Sequence, residues 1–461
     1  MTEARPRSRS LLVRGGTVYT PQGPRVADVY AVDGAVTMVE PGVAAAADAV
    51  VRDATGLYVL PGAIDVHVHS RDPGFPDKED FGSLTAAAAA GGVTTVLDMP
   101  NTVPAVDSAG VLEAKSALAR AKARVDFGLW GMIRSTTTKD QLWGMAEAGA
   151  VGFKAYLGYS YSLSRKQVTH ALARGDPDLE APPDYGTLAR LAPVIARLGL
   201  PLAIHAEDPS VLAAFHRPLS SYVDVLESRP AVAEAVAVAA AAAVARSSGV
   251  RLHVAHLSSE MGLRAAEDAI RGGASLSLET TPSYLWLTEL DYGRLGNSIK
   301  MLPPVRTPAD QQALTNALAS GAITIVATDH APHTDREKAG SLQDAPPGSP
   351  GVQTLYLSCL ELAKRMGDVW QAPRWVCEGP AELAGLQQSK GAIAPGYDAD
   401  LVIVDPNRKT AVRPSAMRSR QRHGALEGKE FGFAIAEVFL RGESLSRARA
   451  PRGRMVRPWR G

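Results

Sequence analysis

The chain has 461 residues, 46% hydrophobic and 21% charged, with 49 basic and 48 acidic side chains and a formal charge of +1. That is more than one ordinary domain of about 100–200 residues, and the charge balance gives no reason to expect nucleic acid or an anionic membrane as partner. Two cysteines, Cys359 and Cys377, exclude a disulfide scaffold and a cysteine-built zinc site and fit a reducing cytoplasm.

The stretch Met1–Ser10 is basic but is followed by no apolar core of signal-peptide length, so a cytoplasmic protein is expected. Leu11–Thr20, Val26–Val39 and Val50–Val59 read as short strands with glycine turns. Eight apolar, β-rich runs then follow: Ala63–His69, Thr94–Met99, Asp126–Ile133, Val151–Leu157, Pro201–Ala206, Arg251–Leu257, Ser275–Thr281 and Ile323–Asp329. Helical patterns lie between them, at Lys78–Ala90, Leu112–Lys122, Tyr185–Leu198, Ser258–Arg271 and Pro308–Ser320. Near-continuous apolar strands alternating with amphipathic helices indicate a parallel sheet covered on both faces. Eight units predict an α/β fold, a (β/α)8 barrel with its chemistry at the C-terminal strand ends.

Ala399–Val404, Ala411–Arg413 and Ala434–Arg441 read as strands again. One small β-sandwich module built from both termini, residues 1–61 and 386–461, is therefore expected around a barrel at 62–385. Ala231–Ala245 is apolar enough to suggest a membrane span, but it carries Glu234 and relies on weakly hydrophobic alanine, so a packed helix is expected. Arg174–Pro183 and Ala339–Pro350 read as surface loops, and Arg447–Arg460 as a frayed, solvated tail. No short-period repeat accompanies the β/α alternation.

Polar residues punctuate these apolar strands at one end. A strand places alternate residues on one face, so His67 and His69 point the same way and form half of a metal site. Lys154 sits inside the fourth strand, His205 ends the fifth, His256 the sixth and Asp329 the eighth. Burying such groups is costly unless they are paired or bind metal. Four imidazoles and a carboxylate suit zinc or a similar divalent ion. A lysine ammonium repels a cation, but carboxylation by CO2 would turn it into a carbamate able to bridge two. Two nearby ions lower the pKa of a shared water, and Asp329 would serve as base and then as acid. Arg71 follows at the strand end, where its charge could meet an anionic substrate. The bland alternatives are a salt-bridged Lys154, a turn residue at Asn101, a loop aromatic at Tyr159 and a surface histidine at His333.

Together these residues resemble the cyclic amidohydrolases of the amidohydrolase superfamily: dihydroorotases, allantoinases and hydantoinases (dihydropyrimidinases). The resemblance runs from Pro61-Gly62 to the stretch GAIAPGYDADLVIVD at 391–405. It implies two divalent ions, zinc being expected, held by His67, His69, carboxylated Lys154, His205, His256 and Asp329. It also implies a small cyclic amide as substrate and a homo-oligomer, dimeric or tetrameric.

Within that group, HSRDPGFPDKED at 69–80, DMPNT at 98–102 and DHAPH at 329–333 are similar to dihydroorotase motifs. The resemblance makes Arg71, Asn101 and His333 the pocket for a substrate carboxylate. Leu302, in KMLPPVR at 300–306, departs from the asparagine that dihydroorotases place against the ring. Tyr159, five residues after Lys154, has the spacing of a hydantoinase oxyanion tyrosine, and VDFGLWG at 125–131 and HLSS at 256–259 look like allantoinase segments. A dihydroorotase-like ring opening is the first expectation and a hydantoinase or allantoinase the alternative. A non-catalytic dihydroorotase-like assembly partner is the remaining class; such relatives lack several ligands, and this chain keeps all six.

Overall fold

The computed structural model describes residues 10–170, 175–446 and 450–459. The barrel strands are Ala63–Val68, Val93–Asp98, Asp126–Leu129 continued by Gly131–Ile133, Phe153–Tyr156, Leu202–His205, Leu252–Val254, Leu276–Thr280 and Ile325–Val326. Neighbours pair in parallel from first to eighth. The ring closes where Val68 bridges His330 and the His69 amide donates to the His330 carbonyl at 2.8 Å. All six predicted ligands belong to this barrel.

The third strand, expected as one run over 126–133, is divided at Trp130, whose indole donates to the Val66 carbonyl at 3.1 Å. Its first half pairs with Val93–Asp98, its second with Phe153–Tyr156. The edge this division frees is taken by the C-terminal segment, because Phe127 bridges Met455 and Val456 donates to the Phe127 carbonyl at 2.8 Å. The tail expected to be frayed is therefore packed in its described part, with Val456 buried; residues 447–449 and 460 of it lie outside the described residues.

The helices start where side chains can cap them. Asp80 accepts from the Ser83 amide, so the first helix begins at Phe81 and not at Lys78. Thr307 caps Pro308–Ser320, found with the expected bounds. By length and mean hydropathy (1.4), Tyr222–Ser248 could cross a membrane. The chain instead breaks at Pro230, and Ala231–Ser248 packs on Glu260–Arg271. Buried Glu234 accepts 2.9 Å hydrogen bonds from the amides of Ser258 and Ser259, a packed-helix arrangement.

The flanks form one sheet whose strand order interleaves the two ends of the chain: Glu443–Ser444, Ala434–Leu440, Leu401–Asp405, Tyr58–Pro61, Ser10–Thr20, Gly23–Val32 and Ala35–Glu40. Val50–Asp53 pairs with Ser10–Thr20 beside it. This β-sandwich module has its own apolar core of Leu11, Val29, Val59, Leu401 and Phe439 among others. The run expected as one strand over 26–39 is a hairpin, turned at Asp33 (φ 50°) and Gly34 (φ 91°), the left-handed pair that tight hairpins require. Val50–Val59 likewise divides into two strands.

Module and barrel meet over buried charge. The Lys390 ammonium lies 2.9, 2.9 and 2.6 Å from Asp126, Asp398 and Asp400, so this acidic triad already holds a cation of the chain's own. Cys359 and Cys377 are buried free thiols.

Candidate active site

Except for Lys154, which lies inside Phe153–Tyr156, the predicted ligands are set near a strand's C-terminal end or just beyond it, where the backbone turns into a loop. Arg71, His256 and Asp329 all adopt left-handed φ values, 60°, 39° and 48°. Non-glycine residues hold that conformation only where surrounding structure compels it, as at functional sites.

His67 and His69 bring their Nε2 atoms 3.4 and 2.9 Å from one Asp329 oxygen. Across the barrel His205 Nδ1 lies 3.0 Å from His256 Nε2, and the His67 and His256 ring centres are 5.2 Å apart. Lys154 is fully buried and its Nζ has no hydrogen-bond partner among the described residues. Burial brings its ammonium down to about 8, against the opposing pull of Glu279 and Asp329.

A second layer of acceptors orients these imidazoles. His67 Nδ1 lies 2.8 Å from Glu279 Oε1, His205 Nε2 2.7 Å from Glu207 Oε2, and His69 Nδ1 2.7 Å from Asn101 Oδ1. Those partners assign the N–H to the outward nitrogen of each ring. The inward nitrogens of His67 and His69 then turn lone pairs toward an ionised carboxylate, and His205 turns one toward His256. Burial holds His69, His205 and His256 toward the neutral form. Burial also works to raise the Asp329 carboxyl, but His67 and His69 outweigh it and keep Asp329 ionised. At Asp329 the lone pairs of two imidazoles face those of a carboxylate, and these repel unless a cation lies between them. The donor set fits divalent metal, and the orphaned Lys154 amine fits conversion to an anionic ligand.

The rest of the cavity comprises Arg71, Asn101, Tyr156, Tyr159, Leu302 and His333, with Lys78 and His170. The guanidinium of Arg71 donates to His333 Nε2 at 3.1 Å and to the Pro332 carbonyl at 3.3 Å. It has no carboxylate partner among the described residues. Lys78 approaches the other nitrogen of His333 at 3.1 Å. Burial, Arg71 and Lys78 all hold that imidazole neutral, and a neutral ring can accept from only one of them. Glu337 answers Lys78 at 2.7 Å, so this corner keeps a surplus positive charge. Asn101 has a different partner from the one expected: its carbonyl is committed to His69, leaving only its amide N–H groups for a ligand.

The Tyr159 ring lies 4.4 Å from that of His205, and burial pushes its phenol well up, so it remains a neutral donor. Glu207 is fully buried between His205 and Arg229. The segment 339–350, expected as a surface loop, forms part of the cavity wall through Pro346, Pro347 and Gly348. Lys300 fastens it by donating to the carbonyls of Leu342 and Ala345 (2.6 Å to the latter). In the other expected loop, Leu179–Glu180 pairs with Ser160–Ser162; Arg174 lies outside the described residues.

Sequence reasoning missed Glu279, Glu207, Arg229, Tyr156, His170 and Lys78. Two had a usable signal. Glu279 is a carboxylate within the apolar run Leu276–Thr280, and Tyr156 stands two residues after Lys154, on the same strand face.

A closed eight-stranded barrel with four histidines, a lysine and an aspartate gathered at its C-terminal mouth defines a metal-dependent hydrolase. The amidohydrolase family model matches residues 58–445, and the chain belongs to that family. It is 37% identical to an allantoinase of Streptomyces avermitilis over 453 residues, 97% of this chain and 98% of the relative. It is 33% identical to a dihydroorotase of Pelotomaculum thermopropionicum over 427 residues, 91% and 94% of the two chains. The L-hydantoinase (dihydropyrimidinase) structure from Arthrobacter aurescens superimposes with a TM-score of 0.87 at 27% identity, covering 97% of each chain.

Proposed function

We propose that the protein opens a cyclic amide ring by hydrolysis of its C–N bond, and that the ring carries a carboxylate, dihydroorotate being the substrate the geometry supports best. The observation that carries this reading is Arg71: a guanidinium without a carboxylate partner among the described residues, beside a neutral histidine and a second cation. A bidentate guanidinium–carboxylate pair would satisfy it.

His67, His69, carboxylated Lys154, His205, His256 and Asp329 would hold two divalent ions, zinc being the metal this nitrogen-rich donor set suits. Bound there, the ions supply polarisation of the ring carbonyl and a lowered pKa for water. Asp329, ionised and between His67 and His69, takes the proton of the attacking water and returns it to the departing ring nitrogen. Tyr159 donates to the carbonyl oxygen as charge develops on it. Arg71 and His333 fix the carboxylate, and Leu302 gives the ring an apolar wall.

Allantoin is the second reading, favoured by the near full-length match to the Streptomyces allantoinase and by Leu302. We also propose a cytoplasmic homo-oligomer with the sandwich module at 1–61 and 386–461 and the barrel at 62–385. The test is a panel of dihydroorotate, allantoin, dihydrouracil and hydantoin, repeated with Arg71→Ala. Loss of the guanidinium should cost dihydroorotate about 1.5–3 kcal/mol of binding and leave uncharged rings little affected. Equal losses on charged and uncharged rings would remove the carboxylate from the account.

A further inference from the structure

His253 is fully buried in the barrel and has no place among the six predicted ligands. It stands three residues before His256, a spacing that on a straight strand puts two side chains on opposite faces. The left-handed φ of 39° at His256 breaks that alternation, and both residues meet Glu279: His256 through its amide at 2.9 Å, His253 through Nε2 at 3.1 Å. The other ring nitrogen of His253, Nδ1, lies 2.9 Å from Oγ of Ser277, its cross-strand partner. Ser277 is half-buried and lines a chamber of ≈ 600 Å³ at the opposite end of the barrel, together with Arg251 and Ser275, which directly precede two of the barrel strands.

Burial outweighs the pull of Glu279 and holds His253 neutral, so the ring has a single N–H to give. A carboxylate is a stronger acceptor than a hydroxyl, which puts that N–H on Nε2 and leaves Nδ1 to accept from Ser277. Four side chains then form one line of hydrogen bonds, Ser277–His253–Glu279–His67, from the chamber to the metal site. The Glu279 carboxylate receives N–H groups on both oxygens, His67 Nδ1 and the His256 amide on Oε1 and His253 on Oε2. A donor on each oxygen pins the carboxylate plane. Held at Oε1 alone, the carboxylate can turn about its last bond and release the His67 ring from its fixed angle. His67, His69 and Asp329 bring ligand atoms within 4.8 Å of one another, near enough to share one ion, so the angle of the His67 ring bears on that ion first.

We propose that His253 is a positioning residue of the metal centre: acting through Glu279, it fixes the His67 ring and with it the affinity for the ion that His67, His69 and Asp329 would share. Ser277 completes the relay by occupying the nitrogen that Glu279 does not. His205 is oriented separately, by Glu207 and Arg229, so an ion held there should feel a change at His253 little. This inference rests on the metal-dependent reading of the site but not on which ring is opened.

The test titrates zinc-loaded protein with a chromophoric chelator and compares wild type with two variants. His253→Phe keeps a flat ring but has no N–H, and His253→Gln carries an amide N–H that can reach Glu279. The phenyl ring should weaken one of the two ions about tenfold or more and the other by less than about twofold, and glutamine should restore most of the loss. Equal weakening of both ions, or a loss that glutamine does not restore, would show that His253 merely packs and overturns the proposal. Wild-type affinity for both ions in His253→Phe overturns it as well. Nitrogen NMR of isotope-labelled histidines in the full wild-type chain reads the relay without any variant and at any metal content. The proposal requires the His253 proton on Nε2 with Nδ1 bare, and a proton on Nδ1 overturns it. Wild-type protein that binds no zinc while His253 keeps the Nε2–H form upholds the relay, in which case the metal reading alone fails.

Discussion

Glu279 takes part in no proposed bond-making step, yet the metal site depends on it. It is fully buried, and its oxygens meet His67 Nδ1 at 2.8 Å, the His256 amide at 2.9 Å and His253 Nε2 at 3.1 Å. Glu279→Ala removes the one acceptor that His67 Nδ1 has among the described residues and leaves three buried donors without their carboxylate. Each buried donor left without its partner costs about 1–3 kcal/mol. The His67 ring also loses the partner that turns its Nε2 lone pair inward, which should weaken metal binding about 10–100-fold. Glu279→Gln keeps the shape and one acceptor oxygen, so it should recover much of the stability and less of the metal affinity. Denaturant unfolding reads the first effect and chelator competition the second. Wild-type unfolding midpoint and wild-type metal affinity in Glu279→Ala would refute the assignment of tautomers on which the metal site rests.

Other predictions follow from neighbouring groups. Carbamate formation needs a free amine, and Lys154, brought down to about 8 from an ordinary 10.5, is half deprotonated near pH 8. Reconstitution of apoenzyme with divalent metal and bicarbonate should therefore accelerate as pH rises toward 8 and level off above it; a rate still climbing toward 10.5 contradicts this. The same shift has a stability consequence: with the folded value below the unfolded one, the unfolded chain holds the extra proton between 8 and 10.5, so metal-free protein gains stability with pH across that window. Tyr159→Phe should lower kcat about 10²–10³-fold with little change in KM, and an unchanged kcat in steady-state assays removes Tyr159 from the reaction. Lys390→Met leaves Asp126, Asp398 and Asp400 without their shared cation and should cost about 3–5 kcal/mol of stability while metal content stays at the wild-type level. A wild-type denaturation midpoint would show that the cluster does not hold module and barrel together.

The barrel was legible because each strand is a short apolar run and the metal-site groups interrupt those runs at one end. His67 and His69 declare a shared face by spacing alone, and the later ligands follow the same rule strand by strand. The orienting layer was harder to read. Glu207 and Arg229 are 22 residues apart and meet only after Tyr222–Ser228 folds back over the barrel mouth. Asn101 lies in a motif that suggests substrate contact, but the loop after the second strand carries its carbonyl onto His69. The C-terminal tail misled because its arginines signal solvent, whereas its backbone pairs with an edge that exists only because the third strand divides at Trp130. Long-range pairing of this kind leaves no local periodicity to detect.

The most direct test of the account is elemental analysis of protein purified without chelator, joined to the ring-opening assay on the same sample. The account predicts about two divalent ions per chain, loss of ring opening when they are removed, and recovery when metal and bicarbonate are returned. Ring opening by protein that holds no metal, undiminished by chelator, would contradict it.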